Sequence, residues 1–305
     1  MNRCPITYEA CENRYSLNGL QSLSPKLTEL SDFPFGREEQ LELAFECSDK
    51  LSFSGVQPKL NAKLNLKNHR FEIVTKKGSF ILKLPHAALQ ELPQNEDLTM
   101  KLAKQVKIKT PLHGMFYAKD NSLIYFVRRF DREGKKKFSV EDFAQLAGLS
   151  KESKYDFSME KLIDILNQFS TFPSKDKELL FRLTLFNFLV GNEDMHLKNF
   201  SMIRKEEVTS LAPAYDLINS TIVMNSKEEI ALPLNGKKSN LKKSDFFDYF
   251  GNKRLGLSSS LLSAIASEFE SAIETWQKLI SISFLSQKHK ESYLKLLKER
   301  FAKIF

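Results

Sequence analysis

The sequence predicts an α+β protein with a small sheet-rich lobe over residues 1–130 and a larger helix-rich lobe over residues 131–305. Three observations carry that reading. Between residue 51 and about 130, apolar and polar residues alternate, as they do along half-buried strands. From about residue 138 onward, apolar residues recur at helical spacing. A chain of 305 residues with 42% hydrophobic and 28% charged side chains is long and apolar enough to bury two cores.

Residues 1–50 carry 5 basic and 9 acidic side chains. They read as a loop-rich entry followed by a short amphipathic helix near Arg37–Cys47. LSFSGVQPKLNAKLNL (51–66) has the alternation of a strand pair. RFEIV and SFILKLP are two more strands, with Lys76-Lys77-Gly78 read as a hairpin turn between them. Pro93 opens a helix that sets Leu98, Leu102 and Val106 on one stripe. PLHGMFYA and SLIYFVRRF follow as strands separated by a turn at Lys119-Asp120-Asn121. In the second lobe the period predicts helices at 140–148, 159–170, 176–190, 244–250, 258–270, 272–284 and 288–303. An irregular insert with short strand-like pieces is expected over 191–236.

Several classes drop out. Three cysteines make no disulfide framework and suit a reducing compartment. Two cysteines near the start, with no further Cys or His around them, leave a tetrahedral zinc site incomplete. The N-terminus lacks the apolar segment of a signal peptide. The longest apolar stretch, Leu179–Val190, is interrupted by Arg182 and Asn187 and is too short to span a bilayer. A soluble cytoplasmic protein is the expectation. The net charge of +8 invites an anionic partner. It concentrates in residues 51–137, which hold 18 basic and 7 acidic side chains. No helix-turn-helix or RNA-binding motif accompanies it. A nucleotide site is therefore favoured over nucleic acid, and any DNA association is expected to be indirect.

Four segments have the composition of working chemistry. Gly191-Asn192-Glu193-Asp194-Met195-His196-Leu197-Lys198-Asn199 follows a strongly apolar helix. Asp194 and Asn199 are five apart, the spacing of a phosphotransferase catalytic loop in which Asp orients the substrate hydroxyl and Asn holds a metal. The bland alternative is a solvated helix end with a Gly/Asn cap. Asp216, in LAPAYDL, sits among apolar and small residues, where a carboxylate is costly unless paired or bound to metal. By itself it would read as a turn or cap. Lys83 is a lone cation on the apolar strand FILKLP. It faces solvent by default, or reaches nucleotide phosphates with Glu96 as its partner. Ser52–Lys59 carries a single glycine, Gly55, which would let backbone N–H groups approach phosphate oxygens. An ordinary hairpin turn is its plain alternative.

SFSGVQPKL, FILKLP, RRFDR (128–132), EDFAQLAG (141–148), GNEDMHLKNFS (191–201) and LAPAYDL (211–217) occur in the order found in the HipA family of serine/threonine kinases, which the chain resembles over about residues 50–220. The resemblance implies a two-lobed protein-kinase-like fold that uses ATP and Mg²⁺. It implies Asp194 as catalytic base, with His196 and Lys198 lining the catalytic loop and Asn199 and Asp216 holding Mg²⁺. Lys83 would contact the nucleotide phosphates, and the loop bearing Gly55, Val56, Gln57 and Lys59 would cover them. Arg128 to Phe130 would form the hinge near adenine, although an acidic residue is common where this chain has Arg128. The family further implies a bacterial toxin, a HipB-like DNA-binding antitoxin and an aminoacyl-tRNA synthetase as protein substrate. Only about fifty residues precede the Gly55 loop, which resembles the short HipT type, in which a separate HipS-like protein supplies the N-terminal subdomain. Ser52 and Ser54 match the serines that HipT autophosphorylates. Lipid kinases share the D-x-H-x-x-N pattern, so a lipid or small-molecule kinase is the second reading. A non-catalytic basic binding module is the third.

Overall fold

Lys59–Asn65 (β1) shows why the first region folds as sheet. Its even positions Leu60 and Ala62 are buried, while Lys59 and Lys63 are exposed, so one face of the strand is apolar and the other wet. The computed structural model describes residues 2–46, 59–86, 89–149, 155–224 and 228–305. Ser52, Ser54, Gly55, Val56 and Gln57 lie outside these. Two units divide the chain, the first holding Met1–Leu98, Pro111–Phe130 and Ile282–Leu285.

In this first unit β1 joins Arg70–Ile73 (β2), Phe80–Lys83 (β3), His113–Tyr117 (β4) and Leu123–Arg128 (β5) in an antiparallel sheet of order β2-β1-β3-β5-β4. Phe71, Phe80, Phe116 and Phe126 form the centre of its core, with Phe71 at ring-centroid distances of 5.2, 4.8 and 5.4 Å from the other three. Leu17–Leu23 (α1) and Arg37–Glu46 (α2) precede the sheet; Leu20 and Leu23 belong to the same core.

The Lys76-Lys77-Gly78 hairpin is not formed. β2 and β3 are not neighbours; they flank β1 on opposite edges, and Ile73 and Phe80 both pair with Ala62. The chain therefore steps across β1 at Ala62. A Cβ at position 78 would lie 3.0 Å from the Ala62 nitrogen, so glycine is what permits this close crossing.

The second unit holds Thr99–Thr110, Asp131–Ser281 and Ser286–Phe305. Leu92–Gln105 (α3) begins in the first unit and ends in this one. Pro173–Val190 (α6) is its central helix, buried on every side from Leu180 to Val190, as expected of a helix with no polar face. Met159–Phe169 (α5) precedes it, and Thr221–Met224 (α7) follows the insert. Ser139–Asp142 (β6), Ser201–Lys205 (β7) and Val208–Leu211 (β8) make a three-stranded antiparallel sheet.

Two boundaries differ from the periodic reading. The 140–148 segment is β6 followed by a short helix, Phe143–Leu146 (α4), because Asp142 closes a capping box with Gln145 and starts the helix only there. The expected helices 258–270 and 272–284 are one, Ser259–Ile282 (α8). Ile265, Phe269, Ala272, Trp276 and Ile280 continue a single buried stripe through residue 271, where no Gly or Pro intervenes. A segment over Asp245–Arg254 winds as a π-helix, and Gln287–Ile304 (α9) ends the chain.

Candidate active site

β3 places Lys83 on the face opposite Phe80 and Leu82. The lysine does not reach solvent. Its Nζ donates to Glu96 Oε1 at 2.5 Å, with the two side chains 4% and 2% exposed, and it lies 5.6 Å from the centroid of the Tyr125 ring. Lys59 is its register neighbour on β1. Glu96 and Asp97 are consecutive on α3, and Asp97 meets His113 of β4 at 2.9 Å in full burial. Helix α3 is thus tied to the sheet through two carboxylates. Such a pair costs desolvation of both ions, where a packed apolar pair would hold a helix to a sheet as well.

Arg128 is committed elsewhere. Its Nη2 donates to the Leu23 carbonyl at 2.7 Å, its guanidinium stacks 5.3 Å from the Phe80 centroid, and its backbone N–H donates to the Leu112 carbonyl. Phe130 follows β5, half-buried.

In the second unit, α6 ends as the cap reading expects: Gly191 adopts the left-handed conformation (φ 68°) and Asn192 N–H returns to the Asn187 carbonyl at 2.8 Å. The polar residues beyond it are not left to solvent. Asn192 Nδ2 donates to Asn187 Oδ1, and Asp194 N–H donates to Asn192 Oδ1. Glu193 N–H donates to Ser220 Oγ at 2.7 Å. Asn199, in a 3₁₀ turn over Leu197–Asn199, sends Nδ2 to the Asp194 carbonyl at 2.7 Å. Asp194 and Asn199 are therefore locked together through the backbone of the one and the amide of the other.

The Asp194 carboxylate stays partly open, its side chain 36% exposed. Tyr155 Oη donates to its Oδ1 at 2.6 Å, and His196 Nε2 is 3.8 Å from the same oxygen. The Tyr155 ring meets His196 edge-on, with centroids 5.1 Å apart. Burial and then the Asp194 hydrogen bond raise the Tyr155 phenol well above its ordinary range, so it remains a donor. Lys198 is half-buried beside Asn199.

Asp216 has a backbone φ of 54°, an uncommon state that a non-glycine residue holds against a strain cost. Its neighbour Tyr215 reaches back to the segment after Asp194, donating to the Lys198 carbonyl at 2.9 Å and sharing a 2.5 Å contact with Ser201 Oγ. This ties the chain at Asp216 to the chain at Asn199. With Nδ2 of Asn199 anchored, its Oδ1 and the Asp216 carboxylate offer only oxygen. That donor set suits Mg²⁺, which takes one or two protein oxygens and fills its octahedron with water and phosphate.

Spacing singled out Asp194 and Asn199, and an apolar context singled out Asp216. Neither pointed to Tyr155 or His113. Tyr155 reaches Asp194 across 39 residues, and no periodic signal spans such a gap. Tyr215, by contrast, stood beside Asp216 in the quoted motif.

The chain is similar to several known proteins. A Haemophilus influenzae protein named "Putative kinase" is 26% identical over 99% of this chain and 97% of its own length. The serine/threonine-protein kinase toxin HipA of Shewanella oneidensis is 27% identical over 61% of this chain, which spans about half of that protein (47%). The structure of HipA in the Shewanella oneidensis complex of HipA, HipB and operator DNA superposes with a TM-score of 0.69 at 22% identity, covering 91% of this chain and 72% of that one, and so shares its fold. No helix among the described residues is long and apolar enough to cross a membrane. Residues 51–276 match the profile of the HipA-like C-terminal domain, and the chain belongs to that family.

Proposed function

We propose that the protein is an ATP-dependent serine/threonine protein kinase that acts as the toxin of a bacterial toxin–antitoxin pair. The observation that carries this reading is the Asn199 amide bonded to the Asp194 carbonyl at 2.7 Å, with the Asp194 carboxylate left accessible. It fixes a base and a metal-facing oxygen in one rigid turn, which is what phosphoryl transfer asks of a protein.

In this reading residues 1–130 form the nucleotide lobe and 131–305 the catalytic lobe. Lys83, oriented by Glu96, neutralises the nucleotide phosphates. Gly55, Val56 and Gln57 belong to the loop that covers them, Lys59 follows at the start of β1, and the Arg128–Phe130 segment borders the adenine. Asn199 and Asp216 hold Mg²⁺, which when bound neutralises phosphate charge. Asp194 accepts the hydrogen bond of a Ser or Thr hydroxyl and takes its proton as the oxygen bonds to the γ-phosphorus, while the bond from that phosphorus to the β,γ-bridging oxygen breaks and ADP leaves. His196 and Lys198 line the loop around that step. Ser52 and Ser54 are the sites of autophosphorylation; a phosphoserine there adds roughly −1.5 to −2 charge beside the ATP phosphates and lowers activity.

The Shewanella oneidensis complex supports a HipB-like partner; the HipS-like protein and the substrate rest on the sequence resemblance. A HipB-like antitoxin would bind the chain and carry any contact to DNA, and a HipS-like protein would complete a HipT-type arrangement. An aminoacyl-tRNA synthetase is the proposed substrate. The test is label transfer from γ-labelled ATP with Mg²⁺, to protein and to lipid extract, by wild type and Asp194→Asn. Label on protein from wild type alone is expected. Label on lipid alone would move the reading to a lipid kinase, and equal labelling by both proteins would end the kinase reading.

A further inference from the structure

The catalytic-loop residue next to Asp194 is held by the last helix of the chain. Glu193 is buried, its side chain 4% exposed. Its Oε1 accepts from Thr221 Oγ1 at 2.7 Å, and its Oε2 meets no hydrogen-bond donor among the described residues. The cation facing it is Arg300 of α9, Nη2 to Oε1 3.7 Å. Arg300 is itself 6% exposed and lies 4.8 Å from the Phe188 ring centroid on α6. Its Nη1 is 3.1 Å from Glu229, which also takes Lys303 Nζ at 2.5 Å and the Leu241 N–H at 2.9 Å. Arg300, Glu229 and Glu193 are thus a buried group that the partly exposed Lys303 joins from the surface, and Glu193 hangs on its edge.

A second contact points the same way. Leu296 is one helical turn before Arg300 and so on the same face of α9. It packs so tightly on Gly191 that a Cβ at position 191 would come 2.4 Å from Leu296 Cδ2. The chain following Asp216 joins the same assembly. Ser220 Oγ and Thr221 Oγ1 donate to the Gly191 carbonyl at 3.2 and 3.0 Å. Both ends of the arrangement proposed to do the chemistry, the Gly191–Asn199 loop and the segment after Asp216, are therefore seated on α9. This helix lies beyond residue 276, where the family match ends.

We infer that α9 is the seat of the catalytic loop and that Arg300, acting through Glu193, is a positioning residue that sets the orientation of Asp194. The inference rests on the kinase reading for its effect on rate; its structural half, order in the loop, does not. A buried charge that loses its partner must find water or move. With Arg300 gone, Glu193 would turn outward and carry Asp194 with it. A shift of about 1 Å in a reacting group costs roughly 10²-fold in rate.

The experiment uses the full chain and compares wild type with Arg300→Met, Arg300→Lys, Glu193→Gln and the Arg300→Met/Glu193→Gln double variant. Three quantities are read: kcat, nucleotide affinity by the shift of the unfolding temperature with ATP, and hydrogen exchange of the peptide holding Gly191–Asn199 without substrate. Arg300→Met should lower kcat on the order of tenfold or more with nucleotide affinity within twofold. It should speed exchange in this peptide over peptides of α8. Glu193→Gln should do the same to a lesser degree, Arg300→Lys should recover part of the rate, and the double variant should lose little beyond the worse single, because the two act as one unit. A folded Arg300→Met protein with wild-type kcat and wild-type loop exchange overturns the inference. If Arg300→Met does not fold, Glu193→Gln decides by the same criteria. If wild type transfers no phosphate, the kinase reading fails while loop exchange still tests the seating by α9.

Discussion

Glu96 and Asp194 are both carboxylates on the chemistry-bearing segments, and the fold treats them in opposite ways. Glu96 is 2% exposed and its charge is taken up by Lys83 at 2.5 Å. Asp194 keeps 36% of its side-chain surface and is held by one neutral phenol, Tyr155, while its backbone carbonyl is held by Asn199. A carboxylate with a buried full-charge partner can orient that partner and do nothing else. One held by a neutral donor keeps its charge and a second oxygen for an incoming hydroxyl. In the proposed kinase reading, Glu96 is the group that positions and Asp194 the group that reacts. Each substitution below either breaks that separation or measures it.

Asp194→Asn has the largest expected effect. It keeps the shape and the Tyr155 contact and removes the proton acceptor, so kcat should fall roughly 10²- to 10⁴-fold. Unfolding temperature should stay near that of wild type, because the residue is open to solvent. Retained activity in a label-transfer assay would remove Asp194 from the reaction.

Lys83→Met should reverse this pattern by striking stability as well as rate. It takes from the buried Glu96 the cation that faces it, a loss of about 3–5 kcal/mol, read by denaturant unfolding. The double substitution Lys83→Met/Glu96→Met should regain most of that stability and none of the activity. If it regained activity, the pair would be structural only and the comparison would fail at Glu96.

How far each half could be read in advance follows from the same distinction. Lys83 was legible because a cation is conspicuous on an apolar strand, and Glu96 because it stood on the next helix. Asp194 and Asn199 were legible because a loop of nine residues fixes their distance. Strand order was not: the alternation in RFEIV and SFILKLP says that each is a strand, but nothing local says that β1 lies between them. Two helices were expected over 258–270 and 272–284, yet the polar residues Glu270 and Ser271 lie on the exposed side and leave the buried stripe of α8 intact. Tyr155 and Arg300 come to the Gly191–Asn199 segment from distant parts of the second unit, and Glu229 comes to Arg300; only the folded chain brings them together.

Tyr155→Phe measures how much the neutral donor contributes. A hydrogen bond to a charged group is worth about 1.5–3 kcal/mol when buried, and this one is at the surface, so a loss near the low end is expected. We expect kcat to fall about tenfold at unchanged KM for ATP, since the ring still packs on His196 while Asp194 loses its orientation. A rise in kcat would instead identify the Tyr155 hydroxyl as an occupant that competes with substrate for Oδ1.

The smallest effect is expected at a third carboxylate, closed like Glu96 but remote in role. Asp245 is 3% exposed, at the start of the π-helix. It accepts from Asn235 Nδ2 at 2.9 Å, Lys237 Nζ at 3.0 Å and the Lys242 N–H at 3.0 Å. Burial alone would raise its pKa, but these three donors together hold it below the ordinary carboxylate range. A pKa depressed in the folded state stabilises the fold at every pH above the unfolded value, about 3.9, and that contribution drains away as pH falls through the folded value. Asp245→Asn should therefore cost about 1–2 kcal/mol in urea unfolding at pH 7. The cost should be the same at pH 5 and shrink below about pH 4, with kcat at pH 7 unchanged. A cost that did not shrink in acid would mean that the side chain's shape, and not its charge, holds the π-helix. A fall in kcat would mean that a closed carboxylate far along the chain still reaches the reaction, and the line drawn between Glu96 and Asp194 would have to be redrawn.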